Sequence, residues 1–103
     1  MSDSDSPTAP SVVDVPERSR FEISVDGTTA GFAAYSLRGD RVVFTHTVVE
    51  DEWEGHGLGS ALARATVSAV MEAGGTVVPR CPFIAAWLRK HPEVQARVEW
   101  PED

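Results

Sequence analysis

Gly55-His56-Gly57-Leu58-Gly59 sets three glycines at every second position, immediately before an alanine-rich stretch. Glycines at such spacing let backbone N–H groups come close to an anion, and a helix that starts there adds unsatisfied donors and partial positive charge. A P-loop requires a lysine after its last glycine, and none follows here. A dinucleotide fingerprint requires Gly or Ala at the sixth position, but Ser60 or Leu62 stands there. Two further residues carry reactive chemistry. Cys81 precedes Pro82 at the start of a predicted helix, where a thiolate is stabilised. It reads either as a nucleophile or acid, or as a buried, inert thiol. His46 reads as a general base or proton shuttle, or as a packed histidine bonded to backbone. His56 faces a ligand from inside the glycine loop, whereas His91 before Pro92 marks a helix end. Glu50-Asp51-Glu52 either draws in an ammonium group or is a solvated run.

The elements that position these residues follow from hydrophobic spacing. Residues 1–19, with Ser2, Asp3, Ser4, Asp5, Ser6, Pro7, Pro10 and Pro16, carry no aromatic side chain and read as a disordered acidic tail. The predicted domain covers 20–100. Phe21, Ile23 and Val25 alternate with polar residues as in a half-buried strand. Asp26-Gly27 is a hairpin signal, and a second strand follows over Ala30–Leu37. Gly39-Asp40 turns the chain into a third strand over Arg41–Val49. The period then changes to that of a helix over Ser60–Ala73, whose only charges are Arg64 and Glu72, so most of its surface is expected to be covered. Gly74-Gly75 ends it. A short strand, Thr76–Val78, leads to a second helix over Phe83–Lys90, with Phe83, Ile84 and Trp87 inward. Trp53, Trp87 and Trp100 read as packing residues. The order is an antiparallel βββ meander followed by α-β-α, an α+β domain with a mixed sheet and a right-handed crossover.

Composition narrows the function classes. The chain has 103 residues, 42% of them hydrophobic, so one core is feasible and wholesale disorder is excluded. A net charge of −7, with scattered basic residues, argues against nucleic acid and anionic membranes and favours an amine over a phosphorylated macromolecule. The single cysteine excludes a disulfide scaffold and a multi-cysteine zinc module. Neither a membrane span nor a signal peptide is visible, and the expected address is cytoplasmic.

The run Glu54-Gly55-His56-Gly57-Leu58-Gly59 resembles the Q/R-x-x-G-x-G/A loop of the GNAT (Gcn5-related) N-acetyltransferases. Pro79-Arg80-Cys81-Pro82-Phe83, with Trp87 and His91-Pro92-Glu93, resembles the P-x-C-P-F…H-P-E signature of the small YjdJ-like branch. Thr45-His46-Thr47 is similar to that branch's D-H-T stretch. The similarity spans about Phe21–Val98. It implies a truncated GNAT fold without the usual first strand and two helices, and acetyl-CoA as cosubstrate. The thioester end would lie between the diverging third and fourth strands, flanked by His46 and Cys81. Main-chain groups of Val48 and Val49 would face the pantetheine arm, and amides of Gly55, His56, Gly57, Leu58, Gly59 and Ser60 would hold the pyrophosphate. Glu54 stands where the family usually has Arg or Gln, which implies weaker affinity. The acceptor would be a small amine or a protein amine. The alternatives are a non-catalytic acyl-CoA-binding module and a protein-interaction module.

Overall fold

The computed structural model describes residues 10–51, 57–94 and 98–101. Its sheet grows in chain order. Strand β1 (Ser11–Val15) pairs with β2 (Arg20–Val25), β2 with β3 (Thr28–Arg38), and β3 with β4 (Arg41–Val49), all antiparallel. Asp26 (φ 53) and Gly27 (φ 81) form the first hairpin turn, where paired left-handed residues match strand twist. Helix α1 (Leu58–Glu72) then crosses over, and β5 (Thr76–Pro79) returns parallel to β4. Helix α2 (Pro82–Arg89) follows, and Val98 bridges Val77 alongside β5.

Strand β1 corrects the reading of residues 1–19 as a tail. Val12, Val13 and Val15 are β-branched, and the chain turns back through a short 3-10 turn at Pro16–Arg18. The register runs from Ser11↔Ser24 to Val15↔Arg20. The Tyr35 hydroxyl donates to Asp14 Oδ1 at 2.6 Å, tying the new edge to β3. Residues 1–9 lie outside the described residues. The meander therefore has four strands where three were expected.

One face of the sheet is buried. Phe21, Ile23 and Val25 point inward with Ala33, Tyr35 and Phe44, and the three rings cluster at 5.5–6.2 Å between centroids. Leu58, Leu62, Thr66, Val67 and Val70 of α1 close over them. Burial on α1 is strongest along one stripe, with Ala61, Ala65 and Ala69 half-covered beside it and Arg64 exposed, so most of the helix surface is covered as expected. Thr66 is the buried polar member, and its hydroxyl donates to the Ala63 carbonyl at 3.1 Å. From α2, Ile84, Ala85, Trp87 and Leu88 are buried. Phe83 is 41% exposed, contrary to its expected inward position, because it projects toward Gly59 at the start of α1.

Candidate functional site

Two departures from regular pairing make an opening in the sheet. The β3–β4 register shifts between Ala34 and Tyr35, whose partners are His46 and Phe44, so Thr45 is an extra residue in β4. The β4–β5 ladder ends at Phe44↔Pro79, where the Cys81 N–H donates to the Phe44 carbonyl at 2.8 Å. Beyond Phe44, β4 continues to Val49 with β3 on one side and, among the described residues, no strand on the other.

Backbone alternation decides which groups face that gap. The Glu50 N–H donates to the Ala30 carbonyl at 2.8 Å, and the Val48 carbonyl lies against Gly31. Val48 and Glu50 therefore turn their main-chain groups toward β3, and those of Thr47 and Val49 face the open side. Of the expected pair, Val49 turns its main-chain groups to the open side and Val48 turns its own toward β3, while Thr47 shares the open side with Val49. Val48 still lines the cleft with its other atoms.

The cleft measures about 760 Å³ and runs from Thr47, Val48 and Val49 past the first turn of α1 to the last turn of α2. Its middle is apolar, with Leu58, Phe83 and Ala86. The first turn of α1 is its polar floor. Gly57 (φ 76) is the N-cap, no side chain caps the helix, and no acidic residue occupies its first turn. The first backbone bond there is Ala61 N–H to the Gly57 carbonyl, so the amides of Leu58, Gly59 and Ser60 have no acceptor among the described residues. Three free donors at a helix start favour an anion. Gly59 is hydrogen where any Cβ would come within 2.6 Å of the Phe83 ring. Glu54, Gly55 and His56 lie outside the described residues.

The two expected catalytic residues part company. Cys81 is 3% exposed, and its Sγ lies 3.1 Å from Thr47 Oγ1, just behind the inner end of the cleft. His46 is exposed on the opposite face of the sheet, its ring 6.1 Å from that of Phe32, and does not line the cleft. The bulge is the cause. Simple alternation from buried Phe44 would bring His46 inward, but the extra Thr45 turns His46 outward and Thr47 inward.

Trp87 has more than the packing role read from sequence. Its indole N–H donates to Ser60 Oγ at 3.1 Å, joining α2 to the polar floor. The His91 ring stacks on it at 4.0 Å, with Nδ1 2.8 Å from the Trp87 carbonyl oxygen, and the Arg64 guanidinium lies 5.3 Å from its centroid. A tryptophan three residues before a lysine and four before a histidine was the available signal. Among the described residues, no group of His, Cys, Asp and Glu is arranged to hold a metal ion, and no helix is long and apolar enough to cross a membrane.

Comparison with known proteins gives this geometry its context. The sequence model of the family described as GCN5-related N-acetyl-transferase matches residues 20–98. The chain belongs to that family. Among solved structures, a GCN5-like protein from Staphylococcus aureus shares the fold with a TM-score of 0.69 and 23% identity over 94% of this chain and 93% of that one. The ribosomal-protein-S18-alanine N-acetyltransferase from Escherichia coli aligns at TM-score 0.53 and 22% identity, over 56% of this chain and 38% of its own. Nourseothricin acetyltransferase aligns at 0.51 and 29%, over 68% and 46%. This GCN5-related chain spans less than half the length of those two enzymes. No curated protein sequence matches it. In GCN5-related terms, the gap between β4 and β5 and the uncapped start of α1 belong to one cleft.

Proposed function

We propose that this GCN5-related chain binds acetyl-CoA in the β4–β5 cleft and transfers the acetyl group to an amine. The observation that carries the reading is a single cleft whose inner wall is unpaired β4 backbone and whose floor is an uncapped helix start. Family members generally use acetyl-CoA, and the residues present fit it. Leu58, Gly59 and Ser60 offer amides to a pyrophosphate, the apolar middle suits a pantetheine arm, and Thr47 and Val49 offer main-chain partners to its amides. The bound thioester supplies an activated acyl group. The chain's own contribution is to fix that group in the gap, shield it with Phe83, and present main-chain N–H groups toward a carbonyl oxygen. Cys81, buried and bonded to Thr47, supports the inner wall rather than carrying the acyl group. The P-R-C-P-F and H-P-E runs, with the end-to-end likeness to the small Staphylococcus aureus protein, support placement in the small YjdJ-like branch. The chemistry suits an intracellular coenzyme, hence a cytoplasmic protein.

One observation favours a second reading. Among the described residues, the titratable side chains that line the cleft are Lys90 and His91 at its outer end, and none lines the Thr47 end. A non-catalytic acyl-CoA-binding module would look the same. Calorimetric titration of acetyl-CoA into wild type, Gly57→Asp and Gly57→Asn tests the common part. Both variants share the backbone strain at φ 76, and only the aspartate adds a negative charge at the floor. Binding to wild type and to Gly57→Asn, weakened at least about tenfold further in Gly57→Asp, supports the reading. Equal binding by the two variants, or no binding to wild type, overturns it. Acetyl release in the presence of an amine panel separates enzyme from binding module.

A further inference from the structure

We infer that Lys90, with Arg64 over the neighbouring Trp87 ring, reads the 3′-phosphate on the ribose of the coenzyme, so that the chain distinguishes acetyl-CoA from its 3′-dephospho form. This rests on the acetyl-CoA reading of the cleft and deepens it. The uncapped amides of α1 account for the pyrophosphate, but CoA carries a further phosphomonoester on the ribose. A chain with net charge −7 repels that dianion unless cations are placed where it sits.

The structure places Lys90 in the cleft wall and Arg64 over the adjoining Trp87 ring. Helices α1 and α2 run side by side along the cleft, with Gly59 against the Phe83 ring and Ser60 Oγ accepting from Trp87. One turn further along α1 stands Arg64, 5.3 Å over the Trp87 ring; just past the end of α2 stand Lys90 and His91. These groups lie about one helical pitch, roughly 5.4 Å, beyond the Ser60 floor. Two phosphates on either side of one ribose are separated by a comparable span. Lys90 is the chain's only lysine, is exposed, and lines the cleft. The ion pairs of the described residues use Arg18, Arg20 and Arg41, leaving Lys90 and Arg64 without a carboxylate among those residues. Stacking of His91 on Trp87, with its Nδ1 at the Trp87 carbonyl, holds the end of α2 in place and so fixes the root of Lys90.

The test is calorimetric titration of acetyl-CoA and 3′-dephospho-acetyl-CoA into the full chain, for wild type, Lys90→Gln, Arg64→Gln and the double variant. Thermal unfolding of each variant checks the fold. Wild type is expected to favour acetyl-CoA by about tenfold at low salt, as suits two partly exposed cations on a dianion. The ratio falls to about threefold in Lys90→Gln and close to one in the double variant, and it shrinks for wild type at high salt. If wild type binds both forms equally, the inference fails and the acetyl-CoA reading stands. A preference that survives the double substitution assigns the phosphate to other residues and refutes the inference. Binding of neither form defeats the acetyl-CoA reading itself, and this inference with it.

Discussion

Gly31→Ala should destabilise the domain more than any turn glycine, and disturb the cleft as it does so. A Cβ at Gly31 would stand 2.3 Å from the Val48 carbonyl oxygen and 3.0 Å from the Val49 Cα. The first contact is roughly 0.7 Å inside the shortest distance real Cβ atoms tolerate, and both obstacles are backbone, so no side chain can swing away. Relief requires β3 and β4 to separate at Gly31↔Val49, weakening the flanking bonds, among them Glu50 N–H to Ala30. Overpacking strain of about 1–2 kcal/mol and two weakened ladder bonds of about 1 kcal/mol each give roughly 3 kcal/mol. For a domain this size that is a fall in Tm of about 15 °C. Gly27→Ala is the comparison: its φ of 81 is unfavourable for alanine, but nothing lies within 4 Å of the added carbon, so the cost is about 1 kcal/mol. Scanning calorimetry of the two variants, followed by acetyl-CoA titration at 10 °C, measures both effects. Unfolding of Gly31→Ala within about 3 °C of Gly27→Ala would refute the close-approach argument.

Trp87→Phe removes the indole donor to Ser60 while keeping an aromatic ring, and should weaken acetyl-CoA binding about threefold to tenfold. Ser60→Ala should do the same, and the double variant should be no worse than either, a non-additivity read from the three dissociation constants. Tyr35, the chain's only tyrosine, has its pKa pushed up from 10.0 to about 12, by burial first and then by its bond to Asp14 and the charges of Asp14 and Glu17. The unfolded chain therefore loses that proton first, so stability present below pH 10 drains away between pH 10 and 12. Denaturant midpoints across that window should fall more steeply for wild type than for Tyr35→Phe. His46→Ala, on the face away from the cleft, should leave the acetyl-CoA dissociation constant within about twofold of wild type. Cys81→Ser, which keeps a hydrogen-bonding partner for Thr47, should retain any acetyl transfer, and the intact mass of wild type after mixing with acetyl-CoA should show no added acetyl group.

Local signals served well where turns bracket an element. Strand β4 runs over Arg41–Val49 as read, because Gly39-Asp40 starts it and an acidic run follows it. Helix α1 differs by two residues at its start, since Gly57 in the left-handed region caps it earlier than Ser60. Strand β1 was hidden by averaging: a stretch dominated by Ser, Asp and Pro contains Val12-Val13-Asp14-Val15, and only pairing with β2 makes that run a strand. Which face His46 occupies depends on one extra residue in a ladder, and a bulge follows from strand pairing rather than local composition. Phe83 fits the inner stripe of α2 about as well as its neighbours, and its exposure is decided by the close approach of Gly59. That the glycines lead into a helix start was legible, and Gly57 stands there as the N-cap of α1 on the polar floor of the cleft. The service of Trp87 to that floor was not, because it joins residues 27 positions apart.

The order β1-β2-β3-β4-β5 across the sheet is also the order along the chain. No strand has to slip between two already paired, so each can add to a finished edge as it becomes available. The first three pairings close through short connections that hold little loop entropy, and only the passage from β4 through α1 to β5 asks the chain to search a longer loop. That last search is also the one that builds the cleft, since the gap exists only once β5 has stopped short of the end of β4. The meander is thus a platform that can assemble early, and the site is the part of the molecule that waits for the crossover.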